Sequence, residues 1–282
     1  MKQSLRQIVP RPALGRIRAL QQRRAIKGFA PYVATRSYGG LELRVSIEDP
    51  LAQGWYDHDW PRLPEIDLLA ERGRLKEGAR VFDLGAHQCV LALMLAAEAG
   101  PSGSVVAVEA TPHNAEVGLR NVALNVGDQG FPGAANVIVC NAVVSSTEGT
   151  IPFAPTLNGH VAGGRRTSYA FPSVNLPAVT VDSLVRTYGL PDVVFVDVEG
   201  FEQRVLEGAT ETFAADSHRP DWFVEVHAGG PLEEQAGSVA GVLAHFQDRG
   251  YHLLAGNSDE GVHYQPLDAP PPTHRFHLIA LG

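Results

Sequence analysis

The chain has 282 residues, 44% of them hydrophobic, with 31 acidic and 23 basic residues and a formal net charge of −8. This length and apolar content predict one large domain with a full core, and no run of 18 apolar residues offers a membrane span. Two cysteines, Cys89 and Cys140, form no C-x-x-C pair, and the start lacks an apolar leader, so zinc clusters and disulfide scaffolds are excluded and a cytoplasmic protein is expected.

Residues 1–27 hold eight basic residues and no acid. The remainder carries 15 basic against 31 acidic residues, a net of −16. Phosphate contacts dominate nucleic-acid binding, so an acidic body argues against a nucleic-acid substrate. Residues 1–40 are assigned to a basic N-terminal arm and 41–282 to the domain. The arm reads as a solvated helix or tail, as a contact between copies in a homo-oligomer, or as a clamp over the acidic body. Within it a short helix is expected at 13–30, stopped near Pro31. Residues 41–47 alternate apolar and polar, as a half-buried strand does. A polar, aromatic loop follows at Trp55-Tyr56-Asp57-His58-Asp59-Trp60, then a helix from Glu65 to Leu75 that ends ahead of Gly78.

From Val81 onward strands and helices alternate. Strands are expected at 81–84, 105–109, 137–141, 193–198, 222–227, 251–255 and 275–281, and helices at 89–99, 112–126, 202–213 and 236–249. This alternation predicts an α/β fold with a mostly parallel sheet and helices on both faces. Segments 143–145 and 151–154 flank Ser146-Thr147-Glu148-Gly149 and predict a hairpin. Residues 155–177 are rich in Gly, Pro, Ser and Asn and read as a long loop, which in a compact domain is functional or mobile.

The most informative stretch is 81–109. One apolar strand ends in Asp83-Leu84-Gly85-Ala86-His87, a helix follows, and a second strand ends in Glu109. Such a unit places a nucleotide-like ligand at the carboxyl edge of a parallel sheet. Glu109 lies 26 residues beyond Asp83, the spacing that lets an acid hold a ribose hydroxyl pair. Two ligands share this signature, NAD(H) and S-adenosylmethionine. The loop reads D-x-G-A-x-x-C, with one glycine where a pyrophosphate needs G-x-G-x-x-G, so the sulfonium donor is favoured.

Five segments follow one another in order: VFDLGAHQC, VVAVEATPHNAEVGLRNVALN, CNAVVSSTEGTIPF, VTVDSL and FVDVEGFEQRVLEGA. Together, over residues 40–280, they resemble the FkbM-type methyltransferases, a branch of the class I S-adenosylmethionine enzymes. The resemblance implies a Rossmann-like sheet of seven strands with one antiparallel edge strand, supplied by the C-terminal pair. It implies methylation of hydroxyl groups on small molecules such as sugars and natural-product scaffolds. Two positions depart from the pattern. Cys89 stands where the loop ends in glycine, putting a Cβ and a thiol near the methionine portion. Phe195 stands where a lysine is common, two residues before Asp197.

Candidate donor-binding residues are Glu65, Asp83, Gly85, Ala86, His87, Glu109, Ala110, Asn114, Asn141, Ala142 and Asp197. Asp83 should organise the loop, Gly85 and Ala86 make room for the methionine part, and Asn141-Ala142 lie where adenine is expected. For Asn141 an ordinary turn-forming role is the rival reading. Candidate catalytic residues are Asp197, Glu199, Glu225 and His227, paired i, i+2 on two expected strands. His227 or Asp197 is the best base for direct displacement. A divalent metal on these groups is a variant reading that no spacing favours. The acceptor, a hydroxylated small molecule, is expected to meet Trp55, Tyr56, His58, Arg165, Arg166, Ser168 and Tyr169; an ordinary surface loop is the rival reading there.

Overall fold

A computed structural model of the chain describes residues 20–21, 24–155, 160–161, 173–215, 218–256, 263–267 and 274–282. Residues 24–28 are helical; most of the expected helix at 13–30 lies outside the described residues. β1 (Tyr32–Tyr38) and β2 (Leu41–Ile47) form an antiparallel ribbon, with Tyr32 opposite Ile47 and Tyr38 opposite Leu41. Gly39 and Gly40 turn the chain, both at positive φ. Ala34 and Tyr38 point inward from β1, so the folded body reaches back at least to Tyr32, inside the segment expected to be an arm.

α1 (Pro50–Tyr56) and α2 (Pro64–Glu71) follow. The first two residues of the expected aromatic loop, Trp55 and Tyr56, are thus helical, because Asp49 caps the N–H groups of Leu51 and Ala52 and Pro50 opens the first turn. The large sheet then begins with β3 (Arg80–Leu84), α3 (Val90–Ala99), β4 (Ser104–Glu109), α4 (Pro112–Leu124) and β5 (Val137–Asn141). A second, small sheet intervenes: β6 (Val143–Val144), β7 (Gly149–Ala154), β8 (His160–Val161) and β9 (Val174–Val179). The chain finishes with α5 (Val181–Tyr188), β10 (Val193–Val196), α6 (Glu202–Glu207), α7 (Thr210–Phe213), β11 (Asp221–Val226), α8 (Pro231–Glu234), α9 (Val239–Gln247), β12 (His252–Gly256), β13 (Gln265–Pro266) and β14 (Phe276–Leu281).

The large sheet has the order β13-β12-β14-β11-β10-β3-β4-β5. Strands β5, β4, β3, β10 and β11 are mutually parallel, and β14 runs antiparallel between β11 and β12. β14 therefore sits inside the edge, and the two-residue β13, also reversed, is an eighth strand beyond the seven expected. Side chains alternate between two buried cores: Val81, Val105, Val193 and Phe195 face one, Phe82, Val106, Val194 and Val196 the other. Burial on both faces explains why these strands read as unbroken apolar runs. Phe195 is 1% exposed and packs on Phe223 with ring centroids 5.1 Å apart, so no charged group could sit there without a partner.

Three expectations are corrected. Segments 143–145 and 151–154 do not form a hairpin with each other. β9 inserts between them, with Ala178 opposite Val143 on one side and Gly149 on the other. Its residues 174–177 also shorten the expected long loop. The helix expected at 202–213 breaks at Gly208-Ala209, where Asp182 accepts from the N–H groups of Glu211 and Thr212 and caps the second piece. The helix expected at 236–249 starts at Val239, capped by Ser238.

Candidate active site

The carboxyl ends of β3, β4 and β10 surround a cleft of about 820 Å³, lined by Gly85, His87, Glu109, Ala110, Asn114, Ala142, Asp197 and Glu199 among others. Two turns of unusual backbone build it. After β3, His87 (φ 46°) and Cys89 (φ 62°) both adopt left-handed conformations; after β10, Glu199 (φ 41°) and Gly200 (φ 91°) do. Left-handed non-glycine residues are costly and persist where the surroundings demand them.

Gly85 lies at φ 99°, and its N–H donates to the Val108 carbonyl at 2.8 Å. A Cβ there would collide with the carbonyl oxygen of Asp197, so glycine is required for the first turn to touch the second. The Cys89 side chain turns away from the cleft. It is fully buried, and a Cβ added to Gly118 on α4 would lie 2.6 Å from its Sγ. The thiol therefore does not enter the cleft; burial raises its pKa and keeps it neutral.

Glu109 is buried at the cleft wall. Its Oε2 accepts the His87 N–H at 2.9 Å and its Oε1 the Thr111 N–H at 2.6 Å. The Asn114 side chain also bonds to this carboxyl. Asp83 lies beneath the loop, its Oδ2 buried and without a hydrogen-bond partner. Burial, and for Asp83 the Glu109 charge as well, raises both carboxyls to about 7. A buried carboxylate at the cleft wall and an orphaned buried acid oxygen beneath the loop fit a nucleoside donor carrying positive charge.

The other donor-site candidates are distributed more widely. Ala86 is buried under the loop rather than in the cleft lining. Asn141 donates to the carbonyls of Glu109 (2.8 Å) and Ala110 (3.1 Å), fastening the end of β4, and lies outside the lining. Glu65 is buried on α2, accepts from Tyr264 at 3.1 Å, and also lies outside it; burial raises its pKa.

The four chemical candidates converge. Nε2 of His227 is 3.7 Å from both Asp197 Oδ1 and Glu199 Oε2. Asp197 and Glu199 line the cleft, while His227 is buried behind them and Glu225 beside them. Enclosure and the neighbouring Glu225 carboxylate raise the Asp197 proton affinity, although 47% of the side chain faces open space and tempers the first cause. Burial alone would lower the proton affinity of His227; its contact with Glu202, with the Asp197 and Glu199 charges, outweighs this and raises it to about 9. Arg275, just ahead of β14, ion-pairs with Glu225 and reaches the cleft. Asp197, Glu225 and His227 each bring a donor atom within 4.8 Å of the others, a spacing a divalent ion could bridge. Arg275 already supplies the cation that Glu225 pairs with, so the metal-free reading is kept.

Of the acceptor candidates, Trp55 lines the cleft and packs on the His87 ring at 5.0 Å. Tyr56 is buried behind it, its hydroxyl 2.8 Å from His87 Nδ1, and His58 is exposed outside the lining. Arg165, Arg166, Ser168 and Tyr169 lie outside the described residues. Sequence reasoning missed Arg275, Phe153 and Phe201 in the lining and Glu202 behind it. Phe201 and Glu202 had a usable signal, their place in the D-V-E-G-F-E motif; Phe153 and Arg275 arrive from segments far off in the chain.

A Rossmann-like sheet with this acid-and-glycine cleft defines the class I S-adenosylmethionine-dependent methyltransferases. Residues 83–253, more than half of the chain, match the methyltransferase FkbM domain, and the chain belongs to that family. No curated protein matches it in sequence. Among solved structures it is similar to an S-adenosylmethionine-dependent methyltransferase from Aquifex aeolicus (16% identity, 82% of this chain and 93% of that one, TM-score 0.41). It is also similar to an S-adenosylmethionine-dependent O-methyltransferase from Thermotoga maritima (13%, 90% and 78%, TM-score 0.43) and to fibrillarin from Aeropyrum pernix with natively bound S-adenosylmethionine (15%, 92% and 86%, TM-score 0.43). The assignment rests on the family match and the site. No described helix is long and apolar enough to cross a membrane.

Proposed function

We propose that the protein methylates a hydroxyl group on a small molecule, a sugar or natural-product scaffold, with Asp197 taking the proton. The observation that carries this reading is the placement of Asp197: it is the one of the two candidate bases that lines the cleft, and His227 stands directly behind it. S-adenosylmethionine supplies a methyl group already activated by positive charge, so the protein's task is alignment and proton removal. Glu109 and the Gly85 loop hold the nucleoside half. The acceptor oxygen lies toward Asp197 and Glu199. Its new C–O bond forms as the C–S bond breaks, its proton passes to Asp197, and S-adenosylhomocysteine leaves. A cleft lined by Glu109, Asp197 and Glu199, with Arg275 as its described cationic side chain, supports a neutral hydroxylated acceptor over a polyphosphate.

The test is transfer of a labelled methyl group from S-adenosylmethionine to a panel of sugars and hydroxylated ring compounds, with amines and RNA in parallel. Label in an alkali-stable ether is expected, and Asp197→Asn should lower turnover by about 10²–10⁴-fold. Label found only in RNA or amines, or full turnover by the variant, would refute the reading.

A further inference from the structure

Glu202 has no accessible surface and lies at the start of α6, behind the catalytic cluster. Its Oε1 accepts from the Gly200 N–H at 2.9 Å and meets His227 Nδ1 at 2.6 Å. Its Oε2 is buried with no hydrogen-bond partner. His227 is thus the cationic partner in reach of a fully buried carboxylate. The ring is gripped on one side only: Nε2 is buried, has no hydrogen-bond partner, and points between Asp197 and Glu199.

The turn that delivers Glu202 is costly. Glu199 is left-handed, and Gly200 is pressed against the backbone of Pro231 so closely that a Cβ would collide with it. That turn bends the chain so that Glu199 faces the cleft while Glu202, three residues on, faces back toward the end of β11.

We propose that Glu202 is a positioning residue: its buried carboxylate holds the His227 ring by Nδ1 and aims Nε2 at Asp197 and Glu199, fixing both carboxylates where the acceptor hydroxyl must deliver its proton. A carboxylate behind a histidine sets ring orientation and decides which nitrogen faces the reacting groups. A proton on Nε2 then faces two carboxylates and works against the enclosure and the Glu225 charge that raise the Asp197 proton affinity. The groups facing His227 are Glu202 from α6 and Asp197 and Glu199 from the turn after β10, with Glu225 of β11 and Arg275 in the same cluster. The inference rests on Asp197 as the proton acceptor.

The test uses the full chain labelled with ¹⁵N-histidine, loaded with S-adenosylhomocysteine and titrated by NMR. The His227 signals are assigned by their loss in His227→Gln. In the natural protein the His227 ring should titrate well above an ordinary histidine, near 9, and keep its Nδ1 proton when neutral. Glu202→Gln keeps the shape and removes the charge; it should lower the proton affinity of His227 by tenfold or more. Asp197→Asn should lower it as well, through Nε2. A ring that titrates at the ordinary value in the natural protein, or whose neutral form carries its proton on Nε2, would overturn the proposal, as would an unchanged ring in either variant. The natural protein and Asp197→Asn decide the matter even if Glu202→Gln does not fold. No acceptor is needed, so failure here is distinct from failure to find hydroxyl methylation.

Discussion

At the scale of single residues, the proposed holding of the donor depends on the ionised form of Glu109. Both of its oxygens already accept a backbone N–H, so a diol completes an existing arrangement. Replacing Glu109 with Gln removes the charge and puts two donors on one arm, and should weaken S-adenosylmethionine binding about tenfold to hundredfold. With Asp83 and Glu109 both raised to about 7, affinity should climb as pH rises from 6 to 8; calorimetric titration at the two values checks this, and a flat profile would count against the assignment. Cys89→Gly should leave donor affinity unchanged, because the thiol points at Gly118. Its stability should shift by no more than about 1 kcal/mol, since relief at φ 62° opposes the small void left. The places of Asp83, Gly85 and Glu109 at the ends of β3 and β4 were legible in the sequence because each ends or follows an apolar run. Asn141 was not, because whether an Asn after a strand meets a ligand or ties down its own turn depends on carbonyls 31 and 32 residues away in the chain.

At the scale of elements, the parallel strands show themselves by continuous apolar runs, and these matched closely. What escaped was pairing. Nothing local reveals that β9 slides between β6 and β7, because the hairpin signal at Ser146–Gly149 is short-range and the true partner lies about 25 residues further on. Likewise the break at Gly208 is imposed by Asp182 on another helix. The helix following the glycine loop is nearly apolar all round, and seven of its ten residues are buried, so it is held by the core rather than by amphipathic contrast. Leu93→Ala in its middle, at 0% exposure, should destabilise the protein by about 2–5 kcal/mol in chemical denaturation. A loss below about 1 kcal/mol would mean that α3 packs less tightly than described.

For the whole molecule, the site is built at a cost to stability. Asp83 and Glu109 bind protons more tightly when folded than their ordinary values of 3.8 and 4.5, so the stability they contribute is present below about pH 4 and lost as pH rises through about 7. His227, raised from 6.5 to about 9, contributes below about 6.5 and loses its share as pH rises through 9. The unliganded protein should therefore melt at a lower temperature at pH 8 than at pH 5, with the donor restoring part of the difference by mass action. A higher melting temperature at pH 8 would mean these groups are not buried as described. A crystal structure of the S-adenosylhomocysteine complex tests the central claim most directly. The account predicts both ribose hydroxyls on Glu109 and the sulfur facing the end of the cleft that holds Asp197 and Glu199. A ribose held elsewhere, or a sulfur turned away from Asp197, would contradict it.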